Sequence, residues 1–171
     1  MSVILICGLN GCGKTTLGRE LAKVLKYSFL NDEDYWFLES DIPFSKCRSD
    51  EDAKAAVMSF LGQNENCVIV ASRGDLGTEI NSKLDTVFYL SAPLEIRLER
   101  IKKRDSDRFA DRVLEGGDMY EQQKKFYEFA ATRTAEKIKN WLESLSCDVI
   151  CLDGRKAISE NIDIILKAGI R

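Results

Sequence analysis

Five short apolar runs punctuate the chain, at residues 3–7, 27–30, 67–71, 86–90 and 149–152. Each is nearly continuous and most are rich in Val, Ile and Leu, the pattern of strands buried on both faces of a parallel sheet. Helical periodicity fills the intervals. Leu17, Leu21, Val24 and Leu25 recur at the spacing of one helix face. Leu94, Leu98 and Ile101 do the same behind Pro93, a residue suited to a first helical turn. Residues 119–145 read as one long helix or two, with Phe126, Phe129, Ala130, Ile138, Trp141, Leu142 and Leu145 as apolar positions. Ser159 is placed to cap a last helix carrying Ile162, Ile165 and Leu166, with Gly169 at its exit. Strands alternating with helices predict an open α/β sheet with right-handed crossovers.

Length and charge narrow this picture. A chain of 171 residues, 44% hydrophobic and 31% charged, fits one domain over 1–171 with its own core. A net charge of −3 argues against a nucleic-acid polymer or a membrane surface as partner, and no apolar stretch approaches the ~20 residues of a membrane span. The apolar start, residues 1–7, lacks a basic flank and runs into a glycine loop, so it is expected to be a strand and not a leader. Six cysteines without a CxxC pair, and no histidine, argue against zinc and predict reduced thiols in a cytoplasmic protein. Cys7, Cys67 and Cys151 belong to apolar runs and are expected to behave as small hydrophobes. Without histidine, Ser-His and Cys-His nucleophilic mechanisms are excluded.

The sequence Gly8-Leu9-Asn10-Gly11-Cys12-Gly13-Lys14-Thr15 matches G-x-x-x-x-G-K-[ST] between a predicted strand and a predicted helix. Glycines let successive N–H groups face one concavity, and the helix N-terminus favours anions there. Gly8, Asn10, Gly11, Cys12, Gly13, Lys14, Thr15 and the following Thr16 are therefore candidate ATP-binding residues. Lys14 would face the β- and γ-phosphates, and Thr15 would offer its hydroxyl to Mg²⁺. Cys12 lies where a thiol pKa can fall, but its expected role is that of a passive loop residue.

With this loop in place, the chain resembles the nucleoside-monophosphate-kinase-like branch of P-loop proteins, which includes adenylate, shikimate and gluconate kinases. Phe29-Leu30-Asn31-Asp32-Glu33-Asp34 is similar to the D-x-D ending of strand two in shikimate and gluconate kinases. Residues 93–104 resemble the proline-started helix leading to their lid. Leu152-Asp153-Gly154-Arg155-Lys156-Ala157-Ile158-Ser159-Glu160-Asn161 resembles their closing loop, which places Gly154 beside adenine. The resemblance implies a three-layer fold, a five-stranded parallel sheet of order 2-3-1-4-5 with helices on both faces, and a small mobile lid. Strand three departs from the pattern: Ala71-Ser72-Arg73-Gly74-Asp75 has neither the D-G-x-P-R of nucleotide kinases nor a triple glycine. The acceptor stays open between a hydroxyl-bearing metabolite and a nucleoside monophosphate.

No aspartate closes the fourth apolar run, so the carboxylates for phosphoryl transfer must come from Asp32, Asp34 or Asp75. In extended chain Asp32 and Asp34 project to one side. Asp34 is assigned as the acceptor-orienting base and Asp32 as a water-mediated Mg²⁺ partner. The lid is expected over 97–118, with Arg104 and Arg108 as its catalytic cations and Arg100 structural. Residues 31–52 sum to −6 and contain Tyr35, Trp36, Phe37 and Phe44. If this segment borders the acceptor, a neutral or cationic hydroxyl compound is favoured over AMP, CMP, UMP or dTMP. The reading is an ATP- and Mg²⁺-dependent kinase, monomeric or homodimeric. The alternative is a P-loop NTPase or nucleotide-binding regulator without an acceptor.

Overall fold

The computed structural model describes residues 2–169; Met1, at the head of the predicted N-terminal strand, lies outside them. Five strands form one sheet: β1 Ser2–Cys7, β2 Ser28–Leu30, β3 Asn66–Ala71, β4 Thr86–Ser91 and β5 Asp148–Asp153. Their order is β2-β3-β1-β4-β5 and every pairing is parallel. Each predicted run thus became a strand, within a residue or so of its ends.

The continuous apolar runs follow from the two-residue period of a strand. Val3, Leu5 and Cys7 face one layer with Cys67, Ile69, Val87 and Tyr89, and meet Tyr35, Val57, Ile80 and Trp141. Those four come from helices α2 Asp32–Trp36, α3 Asp50–Gln63, α4 Thr78–Asn81 and α7 Glu136–Glu143. Ile4 and Ile6 face the other layer with Val68, Val70, Phe88 and Leu90, covered by Leu17 and Leu21 of α1 and by Ile162 and Ile165 of α8. Helix α1 spans Lys14–Leu25 and α8 spans Ile158–Lys167. Residues 3–7 are fully inaccessible to solvent, so neither face of β1 tolerates a polar side chain.

Helices α5 Leu94–Phe109 and α6 Tyr120–Thr132 are joined by a short 3-10 helix, Ala110–Val113, and pack on each other. The predicted stretch 119–145 resolves into α6 and α7. The break falls at Arg133, whose backbone is extended and whose guanidinium reaches back to the sheet. Two local expectations change. Ser159 lies inside α8, because Ala157 is the capping position and Glu160 accepts a hydrogen bond from its N–H at 3.0 Å. Cys151 is exposed, unlike Cys7 and Cys67, because β5 is a sheet edge. All six cysteines are free, and burial pushes the Cys7 thiol up to about 12. Among the described residues no helix is long and apolar enough to cross a membrane.

Candidate active site

Four chain segments meet where the strands end. The loop after β1 carries the glycine motif, Asn31 and Asp32 follow β2, Ser72 and Arg73 follow β3, and Gly154 follows β5. Together they border a cleft of about 1750 Å³ at the C-terminal edge of the sheet, where open α/β sheets bind ligands.

The glycine loop holds its shape through close backbone approach. Gly11 has φ +82°, and a Cβ there would lie 2.3 Å from the Arg97 carbonyl oxygen. Gly154 donates to the Ser91 carbonyl at 2.7 Å, and a Cβ on it would come within 2.8 Å of the Cys12 carbonyl oxygen. Only glycine lets the loop after β5 lie on the phosphate loop. Asn10, Gly11, Cys12, Gly13, Lys14, Thr15, Thr16 and Gly154 all line the cleft, whereas Gly8 does not. Lys14 is the buried first residue of α1. Cys12 packs inward with Ile4, Ile6 and Leu17, consistent with a passive side chain. The Thr15 hydroxyl donates to Asn31 Oδ1 at 3.1 Å, tying the end of β2 to the loop.

That tie decides which carboxylate enters the cleft. Residues 32–36 are helical, not extended, so Asp32 and Asp34 stand about 200° apart around the helix axis. Asp34 is exposed and accepts from the Asn31 N–H at 3.3 Å, closing a capping box; it does not line the cleft. Asp32 does. Its Oδ2 accepts the Ser72 N–H at 2.6 Å, while Oδ1 is buried without a hydrogen-bond partner. Burial raises the Asp32 pKa, opposed by the Lys14 charge and the Ser72 hydrogen bonds. Asp75 borders the cleft too, but its Oδ1 is taken up by the Gly77 N–H and the Asn81 amide, both at 2.8 Å.

The arginines of α5 divide into three kinds. Arg104 lines the cleft, with Nε donating to Asp105 at 2.7 Å. Arg108 does not line it: the guanidinium donates to both Glu33 oxygens, at 3.2 and 3.0 Å, and lies over Phe44 and Phe109. Arg97 and Arg100 turn to the phosphate loop, donating to the carbonyls of Asn10 and Cys12 at 3.1 and 3.2 Å. Arg112, in the turn beyond, pairs with Asp118. The sequence reading missed Arg133. This half-buried side chain donates to Asn10 Oδ1 and the Ser72 carbonyl, both at 2.8 Å, and so bridges the β1 and β3 loops. Burial, then Arg73, lowers its pKa, while Asp32 raises it. Its isolated position outside any motif gave no signal. A helical break inside a long amphipathic stretch was the available hint.

The charge of the cleft also differs from that of the acidic segment. Of the acids in 31–52, Asp32, Glu33 and Asp50 line it, and Asp34, Glu39, Asp41, Glu51 and Asp52 do not. Arg48 of the same segment lines it too, and Arg73, Arg104, Arg133 and Lys137 join from elsewhere. Among the described lining residues nine are basic and six acidic. The charge summed along residues 31–52 is therefore not the charge of the cleft. The aromatics divide as well: Tyr35 is buried and donates to the Val70 carbonyl at 2.9 Å, whereas Trp36, Phe37 and Phe44 line the cleft.

Comparison with known proteins agrees with this architecture. A family model described as an AAA domain matches residues 4–116. The uncharacterised protein YqaC of Bacillus subtilis (strain 168) is 31% identical over 169 residues, covering 94% of this chain and 93% of that one. Cytidylate kinase 2 of Borreliella afzelii (strain PKo) is 31% identical over 137 residues, 72% of this chain and 74% of the relative. Among solved structures, deoxyadenosine kinase from M. mycoides with bound dATP superposes with a TM-score of 0.58 at 18% identity, covering 98% of each chain, a likeness of fold. Sheet order, phosphate loop and relatives agree: the chain belongs to the nucleoside-monophosphate-kinase-like family of P-loop proteins.

Proposed function

We propose that the chain is an ATP- and Mg²⁺-dependent phosphotransferase whose acceptor is a small anion, a nucleoside monophosphate or an acidic hydroxyl-bearing metabolite. The observation that carries this reading is a buried carboxylate oxygen without a hydrogen-bond partner, Asp32 Oδ1, held beside the phosphate loop by the Thr15–Asn31 and Asp32–Ser72 hydrogen bonds. A nucleotide-binding regulator has no use for such an oxygen at the edge of a basic cleft.

Each role follows from position. The loop amides and Lys14 bind the β- and γ-phosphates of ATP, and the loop after Gly154 borders its base. Hard oxygens suit Mg²⁺, and the Thr15 hydroxyl and Asp32 would hold it, the latter through water; its charge would offset that of the phosphate oxygens. Arg104 and Arg133 meet the charge that spreads over the transferring group. Arg73, stacked over Trp36 at 4.4 Å, and Arg48 grip the anionic group of the acceptor. With a hydroxyl acceptor, its oxygen bonds to the γ-phosphorus as the bond to ADP breaks, and the proton passes to Asp32. A raised pKa suits that base. Residues 97–118 remain the lid in this reading, α5 forming its rigid arm and the turn beyond Phe109 its moving part.

The test is ADP release from ATP and Mg²⁺ across monophosphates, shikimate-like acids, neutral sugars and polyols, and aminoglycosides. An anionic compound is expected to give kcat/KM in the ~10⁴–10⁸ M⁻¹s⁻¹ range. Preference for a neutral or cationic compound would overturn the acceptor class. ADP release that no compound stimulates would overturn the kinase reading.

A further inference from the structure

Arg97 departs from its surroundings in one respect. It is 4% exposed, yet among the described residues no carboxylate pairs with it and its Nε has no partner. A buried guanidinium without a counter-charge is costly, so its retention needs a reason. Among the described residues its side chain makes one hydrogen bond, to the Asn10 carbonyl in the phosphate loop at 3.1 Å. One helical turn on, Arg100 donates to the Cys12 carbonyl at 3.2 Å. The Asn10 side chain is held in turn by Arg133, at 2.8 Å from Oδ1. Thus α5 grips two alternate peptide groups of the loop, and the Arg97 backbone abuts Gly11.

Peptide geometry makes this grip directional. In a trans peptide the C=O of one residue and the N–H of the next point opposite ways. Drawing the Asn10 and Cys12 carbonyls toward the arginines turns the Gly11 and Gly13 N–H groups away from them. Those two amides donate to no acceptor among the described residues, and both glycines line the cleft. Resting on the kinase reading above, we propose that Arg97, aided by Arg100, is a positioning residue that presets the loop amides for the phosphates. Its charge is left uncompensated by protein, so that a bound polyphosphate supplies the counter-charge. The crowding of Arg73, Arg97 and Arg133, which depresses the Arg133 pKa beyond the effect of burial, is the electrostatic counterpart of this arrangement.

Loss of this charge should therefore weaken phosphate binding without weakening the ligand-free fold. Calorimetric titration of the full chain with inorganic triphosphate, and separately with adenosine, is combined with thermal melting of the ligand-free protein. For Arg97→Met, triphosphate is expected to bind about 10- to 100-fold more weakly. Adenosine affinity should be unchanged and the ligand-free melting temperature should not fall, because a hydrophobe of similar volume replaces a buried charge. Should Arg97→Met fail to fold, Arg100→Gln provides the same comparison: weaker triphosphate with unchanged melting supports the grip, and wild-type triphosphate affinity overturns it. Wild-type triphosphate affinity in a folded Arg97→Met, or equal loss of both ligands with a lowered melting temperature, would likewise overturn the proposal while leaving the kinase reading intact. A wild-type protein that binds no triphosphate overturns both.

Discussion

Replacing Asp32 with asparagine separates the catalytic demand on this residue from its cost to the fold. The amide oxygen can still accept the Ser72 N–H that lies 2.6 Å from Oδ2. What is lost is the charge assistance in that bond, on the order of 1 kcal/mol, together with the attraction of the Lys14 charge. What is gained is relief from holding an ionised carboxylate whose other oxygen is buried and unpaired, a penalty of ~1–3 kcal/mol. The balance predicts a variant as stable as wild type at pH 7, or higher melting by ~2–4 °C per kcal/mol gained. The sign of the pH dependence follows from the raised pKa. Between the ordinary carboxylate pKa and the folded-state value, the native protein holds a proton that the unfolded chain has released. Wild-type stability due to this group is therefore full at low pH and falls as pH rises through the folded pKa, and Asp32→Asn should flatten that fall. Activity should behave oppositely, with kcat for a hydroxyl acceptor down ~10²–10⁴-fold above the folded-state pKa, where the wild-type carboxylate is ionised, and the difference shrinking below it. Calorimetric melting between pH 4 and 8, with ADP release measured on the same samples, checks both arms. Marked destabilisation of Asp32→Asn at pH 7 with the wild-type pH slope retained would refute the reasoning, since the ionised carboxylate would then be a net stabiliser.

Lys14→Ala should cost ~10²–10³-fold in kcat while the melting temperature changes little, measured by ADP release and calorimetry, because it deletes a cation aimed at the transferring phosphate. Asp34→Asn should leave kcat within about twofold, contrary to its assignment from sequence, and lower stability by under about 1 kcal/mol through a weaker capping box; a large kcat loss would return the base to Asp34.

What the sequence discloses divides by range. The five strands were legible because burial on both faces writes itself into each run independently, as the full burial of residues 3–7 illustrates. The phosphate loop was legible because its requirements, glycines followed by Lys14 and Thr15, are local and contiguous. The choice between Asp32 and Asp34 was not. It depends on whether residues 32–36 are extended or helical, and the Asn31–Asp34 capping box made them helical. Ser159 misled for a similar reason, its capping place being taken by the Glu160 bond to Ala157. Arg97 looked like one more surface arginine, since its i, i+3, i+7 spacing with Arg100 and Arg104 suggests a solvated stripe. The structure spends the first two on the phosphate loop, and Arg100 and Arg104 line the open cleft.

Electrostatics shows why the acceptor was the hardest feature to read. Summing charge over residues 31–52 assumes that neighbours in sequence share a dielectric environment. Asp52 and Asp34 instead cap helices in water, and Glu33 is matched by Arg108 across 75 residues. Exposed charges such as Asp34 and Asp52 are screened within about 8–10 Å and contribute little inside a cleft. The cations that count arrive separately, Arg73 after β3 and Arg133 from the break between α6 and α7. Each is held by its own contact, Arg73 on the Trp36 ring and Arg133 on Asn10 and Ser72. The potential an acceptor meets is thus set by loops that only the sheet order β2-β3-β1-β4-β5 brings together. An anionic acceptor, as proposed above, would meet Arg73 and Arg133 there.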